Sequence, residues 1–393
     1  MKTIRRVLVL CVLVASLAVA ETMAQSIPVT VDCSSGQSLN RTLSKLDKQV
    51  ATTVSVTGTC TEYVQVSGFQ NLTLKGLPGA ALVQPTISAG NLITTVLTIV
   101  SSQSVTVEGF SLQADTSIDG VIGIGHGSRD IRLRNLEIVG GDFGIFVYEN
   151  SEVSIAYVTS KDPGFSSLGV FDLSDVHLEH STFEESTGAP YHVGLFVGTS
   201  HITMYHTSIK NMQVGIDAYG GSNIDVQAFA TYYPFGGSND VTIAGSTNYD
   251  GVSLSGGSSL NVTGINQQAT RLVINQPGQA YGGTTAGVLV SDRSVLEANS
   301  NLVITGSQGQ GIVVLNNSHA TLTGATITGS GHGGLAASNL SSIDLAEGAS
   351  TLVGGNAVDL FCDSSSRITG TANLFGAPTA QCSNLLPGES TLP

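Results

Sequence analysis

The 393-residue chain carries 15 Lys and Arg against 29 Asp and Glu, a formal net charge of −14, with 47 glycines and no tryptophan. A surface this acidic repels phosphate backbones, which excludes nucleic acid as a partner, and it repels acidic polysaccharide unless a cation or a local basic patch intervenes. Only 11% of residues are charged and helix-period patterns are almost absent.

The chain opens Met1-Lys2-Thr3-Ile4-Arg5-Arg6, followed by an apolar run from Val7 to Ala20 and small residues ending at Ala24. That is a charged region, a hydrophobic segment too short for a bilayer, and a cleavage-like site, so residues 1–24 read as a signal peptide cut after Ala24 or Ala20. Cys11 follows Leu10 rather than a small residue, which argues against a lipid anchor. No later stretch is apolar for long enough to span a membrane. The mature protein is expected to be secreted, extracellular or periplasmic, soluble and monomeric.

Cleavage removes Cys11 and leaves Cys33, Cys60, Cys362 and Cys382. An even number in an exported chain predicts disulfides. Of the three pairings, Cys33–Cys60 and Cys362–Cys382 are the economical ones, each fastening one terminus. Residues 25–60 are expected to form an N-terminal cap. Within them "SLNRTLSKL" puts Leu39, Leu43 and Leu46 on one helical face, suited to covering the exposed strand edges of a first coil.

Beyond that helix the sequence alternates apolar and polar residues in short runs. A glycine followed by alternating aliphatics begins at Gly120, Gly144, Gly169, Gly194, Gly215, Gly251, Gly287, Gly311 and Gly334, at intervals of 24, 25, 25, 21, 36, 36, 24 and 23 residues. A second run follows each, such as "DIRLRNLEI", "EVSIAYV", "DVHLEHSTF" and "HITMYHTSI". Self-similarity at this period is the signature of a solenoid. Several short strands per period with no helix between them predict a parallel β-helix, each coil adding a rung of about 4.8 Å. Leucine-rich repeats lack their Leu/Asn frame here, and propellers need longer antiparallel blades. The fold class is therefore all-β, a single right-handed parallel β-helix of about ten to twelve coils over residues 61–361, with 362–393 as a C-terminal cap or tail. The two 36-residue intervals read as coils with insertions rich in Gly, Tyr and Pro, including Tyr232-Tyr233-Pro234, which are expected to wall a binding face.

On this coil repeat, the opening "VTGTCTEYVQVSGFQNLTLKG" and the signal peptide, the chain resembles right-handed parallel β-helix proteins of the pectate-lyase-like superfamily over nearly all its mature length. The resemblance implies the fold. It also implies a group containing polysaccharide lyases, hydrolases, epimerases and phage tailspikes beside secreted members of no known activity, among which fold does not choose. Gly-His-Gly occurs at residues 125–127 and 331–333, but there is no Asp-Asp and no following Arg-x-Lys, as polygalacturonase-like members have. Arg129, Arg132 and Arg134 lack the Pro-flanked setting of a lyase arginine. The calcium β-roll nonapeptide is missing too, so no cofactor is expected and calcium has no motif behind it.

Stacking the coils points to a site. In the second run the residues between inward aliphatics are Arg132, Ser154, His177, Thr203 and Asp225, then Arg134, Ala156, Glu179, Tyr205 and Gln227, with Asn135, Tyr157, His180 and His206 at the adjoining turn. In the first run the outward series is Ile122, Phe146, Phe171, Phe196 and Asp217, with Tyr148 and Tyr219 two residues on. Five of the eight histidines fall between His177 and His206. The expected catalytic residues are Glu179, His177, Asp217 and Arg132, polar groups placed to bind hydroxyls or to serve as acid and base. The expected substrate-binding residues are Phe146, Phe171, Phe196, Tyr148, Tyr205, Tyr219, His206 and Arg134, with rings to stack sugars. His177 and His180 straddle a turn without ligand spacing for zinc, and Asp172, Asp175, Glu179 and Glu184 are the carboxylates available to calcium. The function so read is secreted binding of extracellular polysaccharide over coils 120–235, with lyase, hydrolase or epimerase chemistry. The competing reading is a non-catalytic adhesin-like or structural β-helix, in which the rings only pack coil on coil.

Overall fold

Runs such as Val54/Val56 and Leu72/Leu74 bury every second side chain, and each pairs in parallel register with the run one coil away. In the computed structural model this pattern extends along the chain. The structure describes residues 26–382 apart from 87–94, 187–191, 228–239, 246–248, 263–269, 276–284, 300, 346–350, 357, 371 and 376–379. The expected signal peptide, the Tyr232-Tyr233-Pro234 segment and the end of the expected tail lie outside the described residues.

The first runs form a 13-stranded parallel sheet, here face A, from Val64–Ser67 to Ala380–Cys382, each strand bonded only to those of the adjacent coils. The second runs (face B) and third runs (face C) belong to one 25-stranded sheet. They are joined because Ile131–Val139 and Glu152–Lys161 pass through the corner between them unbroken. This is the parallel β-helix the repeat predicts. It has 13 rungs on face A rather than ten to twelve coils, because short terminal strands such as Leu360–Cys362 and Ala380–Cys382 carry too few residues to show alternation. Ile27–Asp32 already stacks on Thr52–Thr57, so the rungs begin within the segment expected as a cap. No helix among the described residues is long and apolar enough to cross a membrane.

The register revises the repeat anchor. On face A the equivalent positions are Val121, Gly144, Ser167, Gly194, Gly215, Gly251, Gly287, Gly311 and Gly334, so Gly120 and Gly169 belong to other columns. A Cβ at Gly215 would sit 2.5 Å from Cγ2 of Ile243, and one at Gly251 2.6 Å from Cγ2 of Ile274. Isoleucines of face C therefore press on bare backbone of face A, and glycine keeps the cross-section thin.

The A–B corner is built from a tight turn with two residues at positive φ, as at Glu149-Asn150, Asp172-Leu173, Asp292-Arg293 and Asn316-Asn317. A buried serine follows each turn. From Ser151 through Ser174, Ser200, Ser222, Ser258, Ser294, Ser318 and Ser341 to Ser366, each backbone N–H donates to the next coil's serine Oγ at 3.1–3.4 Å. The hydroxyls of Ser151, Ser222 and Ser258 also donate to the carbonyl three residues back, at 2.8, 2.7 and 2.8 Å. Along this ladder each such buried N–H is thus satisfied by one small side chain.

The helix Leu39–Leu43 buries both leucines, with Leu46 packed beside them. Ser38 caps it, accepting from the Arg41 N–H, and Glu62 accepts from the Leu39 N–H at 2.6 Å. The disulfides are Cys33–Cys60 and Cys362–Cys382.

Candidate functional site

Face A carries the aromatic residues, in two columns broken by glycines rather than in one. One outward series runs Gly123, Phe146, Gly169, Phe196, Asp217, Ser253. The next outward position on each strand holds Tyr148, Phe171, Gly198 and Tyr219. Phe171 is therefore two residues out of line with Phe146 and Phe196, and Ile122 is a fully buried core residue, not an outward one. Several rings lie over glycines: Tyr148 over Gly125, Phe171 over Gly169 and Gly198, and Tyr219 over Gly198. A Cβ at Gly198 would lie 2.7 Å from the Tyr219 ring, and one at Gly169 2.7 Å from the rings of Phe143 and Phe171. Centroids are 5.3 Å apart for Phe146–Phe171, 5.5 Å for Phe171–Phe196, 5.2 Å for Phe196–Tyr219 and 5.0 Å for Phe146–Tyr148. Phe143 and Phe165, absent from the expected set, extend the cluster at 5.0 Å from Phe146 and Phe196. The rings are half-buried and Tyr219 is exposed, so the cluster is a platform open to solvent along part of its area.

Carboxylates border this platform. Asp217 pairs with Phe196 on one side and Ser253 on the other, and burial raises its carboxyl, opposed by a hydrogen bond with Ser253. Burial pushes Asp250 up to about 7, against the hydrogen bond it accepts from the Ala286 N–H at 2.7 Å and with the help of the Asp217 charge. At the strand-start edge Asp142 is also raised, first by burial and then by Asp119, with His192 opposing. His192 forms an ion pair with Glu185, and both side chains are buried. Asp250, Asp142, His192 and Glu185 were not expected from sequence. Asp250, Asp142 and His192 precede strands and Glu185 follows one, where no alternation marks them, and the usable signal is two titratable residues flanking residues 187–191.

The remaining expected residues lie elsewhere. Arg132, His177 and Glu179 occupy face B in the register anticipated, with Ser154 between Arg132 and His177 and Ala156 beside Glu179. Arg132 binds Asp130 at 2.8 Å, Arg134 is exposed, and His177 stands 3.9 Å from Glu179. Asp217 is on face A, so the four expected catalytic residues do not share one groove. Tyr205, expected to face solvent, is buried at 7% exposure because His177 and His180 pack on it, with centroids at 5.5 and 5.8 Å. At the B–C corner Tyr157 stacks on His180 at 4.8 Å and His180 meets His206 at 4.3 Å, beside a cleft of about 450 Å³ that also touches Asp240. Burial and then the His206 charge lower His180, with Glu179 opposing. Asp240 is held by Arg271 at 2.6 Å. Also on face B, His201 clamps three coils, its Nδ1 3.2 Å from Asp175 and its Nε2 3.0 Å from Asp225, which accepts from Asn261 at 2.7 Å. Among the described residues, the one cluster of three metal-type ligand atoms within 4.8 Å of one another is Cys33, Cys60 and Glu62, whose sulfurs form the disulfide. The Asp172, Asp175, Glu179 and Glu184 carboxylates do not form such a group.

No protein-family model matches the chain and no curated protein matches it. Among solved structures it is similar to the catalytic domain of a GH87 alpha-1,3-glucanase in complex with tetrasaccharides, at 11% identity and a TM-score of 0.54, over 90% of this chain and 69% of that one. A bacteriophage CBA120 tailspike protein aligns at 12% identity and a TM-score of 0.32, over 85% of this chain and 56% of that one. An alginate lyase from Paenibacillus sp. str. FPU-7 aligns at 12% and 0.25, over 91% and 98%. At these identities the first likeness establishes the architecture and the other two carry no argument. The chain has a parallel β-helix fold.

Proposed function

We propose that the protein is exported and binds extracellular polysaccharide across face A, and that Asp217 and Asp250 there make it a glycoside hydrolase. The observation carrying this reading is the partly exposed ring platform of Phe146, Tyr148, Phe171, Phe196 and Tyr219, which runs into those two carboxylates. Sugar rings present C–H faces that stack on aromatic rings, and the platform is several rungs long. Hydrolysis needs one carboxyl that stays protonated near neutrality and one that ionises more readily. Asp250, at about 7, suits the proton donor, and Asp217 is the second carboxylate. Glu179, His177 and Arg132 then serve face B and not the reaction. The N-terminal apolar run and the two disulfides support export. That a domain of the same fold is an alpha-1,3-glucanase is in keeping with the reading, though fold alone carries no activity.

The test is incubation of the purified protein with a panel of polysaccharides, monitoring new reducing ends and unsaturated products. New reducing ends that vanish in Asp250→Asn and Asp217→Asn support a hydrolase. Unsaturated products from both variants sink the assignment of these residues.

The second reading is a non-catalytic scaffold. It is favoured by the way the rings cover Gly169 and Gly198, which gives them a packing role independent of any ligand. Binding to no glycan, together with a lowered melting temperature for Phe196→Ala, would decide for it.

A further inference from the structure

We infer that the glycan taken by face A is electrically neutral and that polymers of uronic acids are rejected by the site's own charge. This rests on the reading of face A as a glycan-binding surface and narrows it.

Recognition of a sugar carboxylate requires a positive partner, either a guanidinium or ammonium group or a bridging metal ion. The outward positions of face A from Gly120 to Ser255 supply rings, glycines, serines and Asp217, and neither Lys nor Arg. The segments inserted between coils do not supply one either. The sequence contains no Lys or Arg between Lys161 and Lys210, and none between Lys210 and Arg271. Those three cations lie off the platform: Lys161 binds Glu137 at 3.3 Å, Lys210 ends a strand of face C, and Arg271 binds Asp240. Arg132 and Arg134 stand on face B, beyond the serine corner.

The histidines nearby are each paired with a glutamate, His126 with Glu149 and His192 with Glu185, and the remaining charge has the opposite sign. Asp217 borders the platform, with Asp119 and Asp142 at its edge, and Asp250 beside Asp217 adds charge only as it ionises at about pH 7. Each uronate added to a bound chain would bring a further negative charge into this field, in surroundings less screened than bulk water. A neutral sugar meets no such barrier, and its hydroxyls donate to the same carboxylates while its C–H face lies on the rings.

The experiment uses the purified chain in affinity electrophoresis and titration calorimetry. The probes are neutral glucans, xylan and mannan on one side and polygalacturonate and alginate on the other, each with chelator and with calcium, at low and moderate salt. Phe196→Ala and Tyr219→Ala report whether binding uses the platform, and circular dichroism melting checks that each folds. The expected result is binding of at least one neutral glycan, weakened about tenfold or more in a folded platform variant, and no uronate binding with chelator. Uronate binding with chelator that the platform variants lose would overturn the inference while leaving polysaccharide binding at face A intact. Uronate binding that appears only with calcium overturns it as well, by making the carboxylates a bridge. Binding of no glycan, or binding that neither platform variant weakens, removes the reading of face A itself and the inference with it.

Discussion

Raising the pH should loosen face B through a single side chain. His201 is pushed up to about 9, first by its hydrogen bond to Asp175, then by that to Asp225, against burial. A histidine whose folded pKa lies above the unfolded value contributes stability that is complete below about pH 6.5 and is lost as the pH rises through about 9. The interval is worth about 3 kcal/mol at ~1.36 kcal/mol per pH unit. The side chain is 35% exposed, and solvent screening reduces this to about 1–2 kcal/mol. Urea denaturation of the wild type and of His201→Gln at pH 6 and pH 10 measures it. The variant should be less stable by that amount at pH 6, and the two should converge by pH 10. Asp225 is lowered chiefly by the hydrogen bond from His201, so its share of stability is lost as the pH falls below the usual carboxylate range. An equal gap at pH 6 and 10, or a His201 ring titrating by NMR at or below 6.5, would refute the reasoning.

Ser258→Ala removes the acceptor of the Ser222 N–H and is expected to cost about 1–3 kcal/mol, with faster hydrogen exchange at the Ser222 amide as the local reporter. Gly251→Ala forces a Cβ against Ile274 and should destabilise by about 1–3 kcal/mol, partly relieved by Ile274→Ala in a double-mutant cycle. If Asp250 is the proton donor, hydrolytic activity should fall as the pH rises through about 7, and Asp250→Asn should be inactive throughout a pH–rate profile.

The legibility of this fold varies by face. On face B aliphatics such as Ile131/Leu133, Val153/Ile155 and Val176/Leu178 alternate without interruption, and the outward residues fall in the register their spacing dictates. On face A glycine has two unrelated duties. Gly194, Gly215 and Gly251 make room for isoleucines inside, whereas Gly169 and Gly198 make room for rings outside. Aligning the repeat on glycine therefore mixes the columns, and Phe171 lands two residues from its place. The candidate site suffers more. Asp217 is legible because it sits in an alternating strand, but Asp250 and His192 precede strands and Glu185 follows one, so no alternation marks any of the three. Tyr205 reads as outward from its parity, and its burial comes from neighbouring rings that parity cannot register. Serine is too common in this chain to stand out. Its signal is positional, a serine directly after a pair such as Asn316-Asn317 or Gly256-Gly257, both at positive φ.

The serine ladder makes the same link between coils whether the partners are 22, 24, 26 or 36 residues apart in sequence. The stretch from one such serine to the next is consequently a cassette with matching ends. Excising residues 258–293 would join the coil of Ser222 to that of Ser294 through the hydroxyl-to-amide bond that each already makes with Ser258. Duplication of such a cassette would be accepted on the same terms. The length of this molecule is thus a copy number, free to change without inventing a new joint.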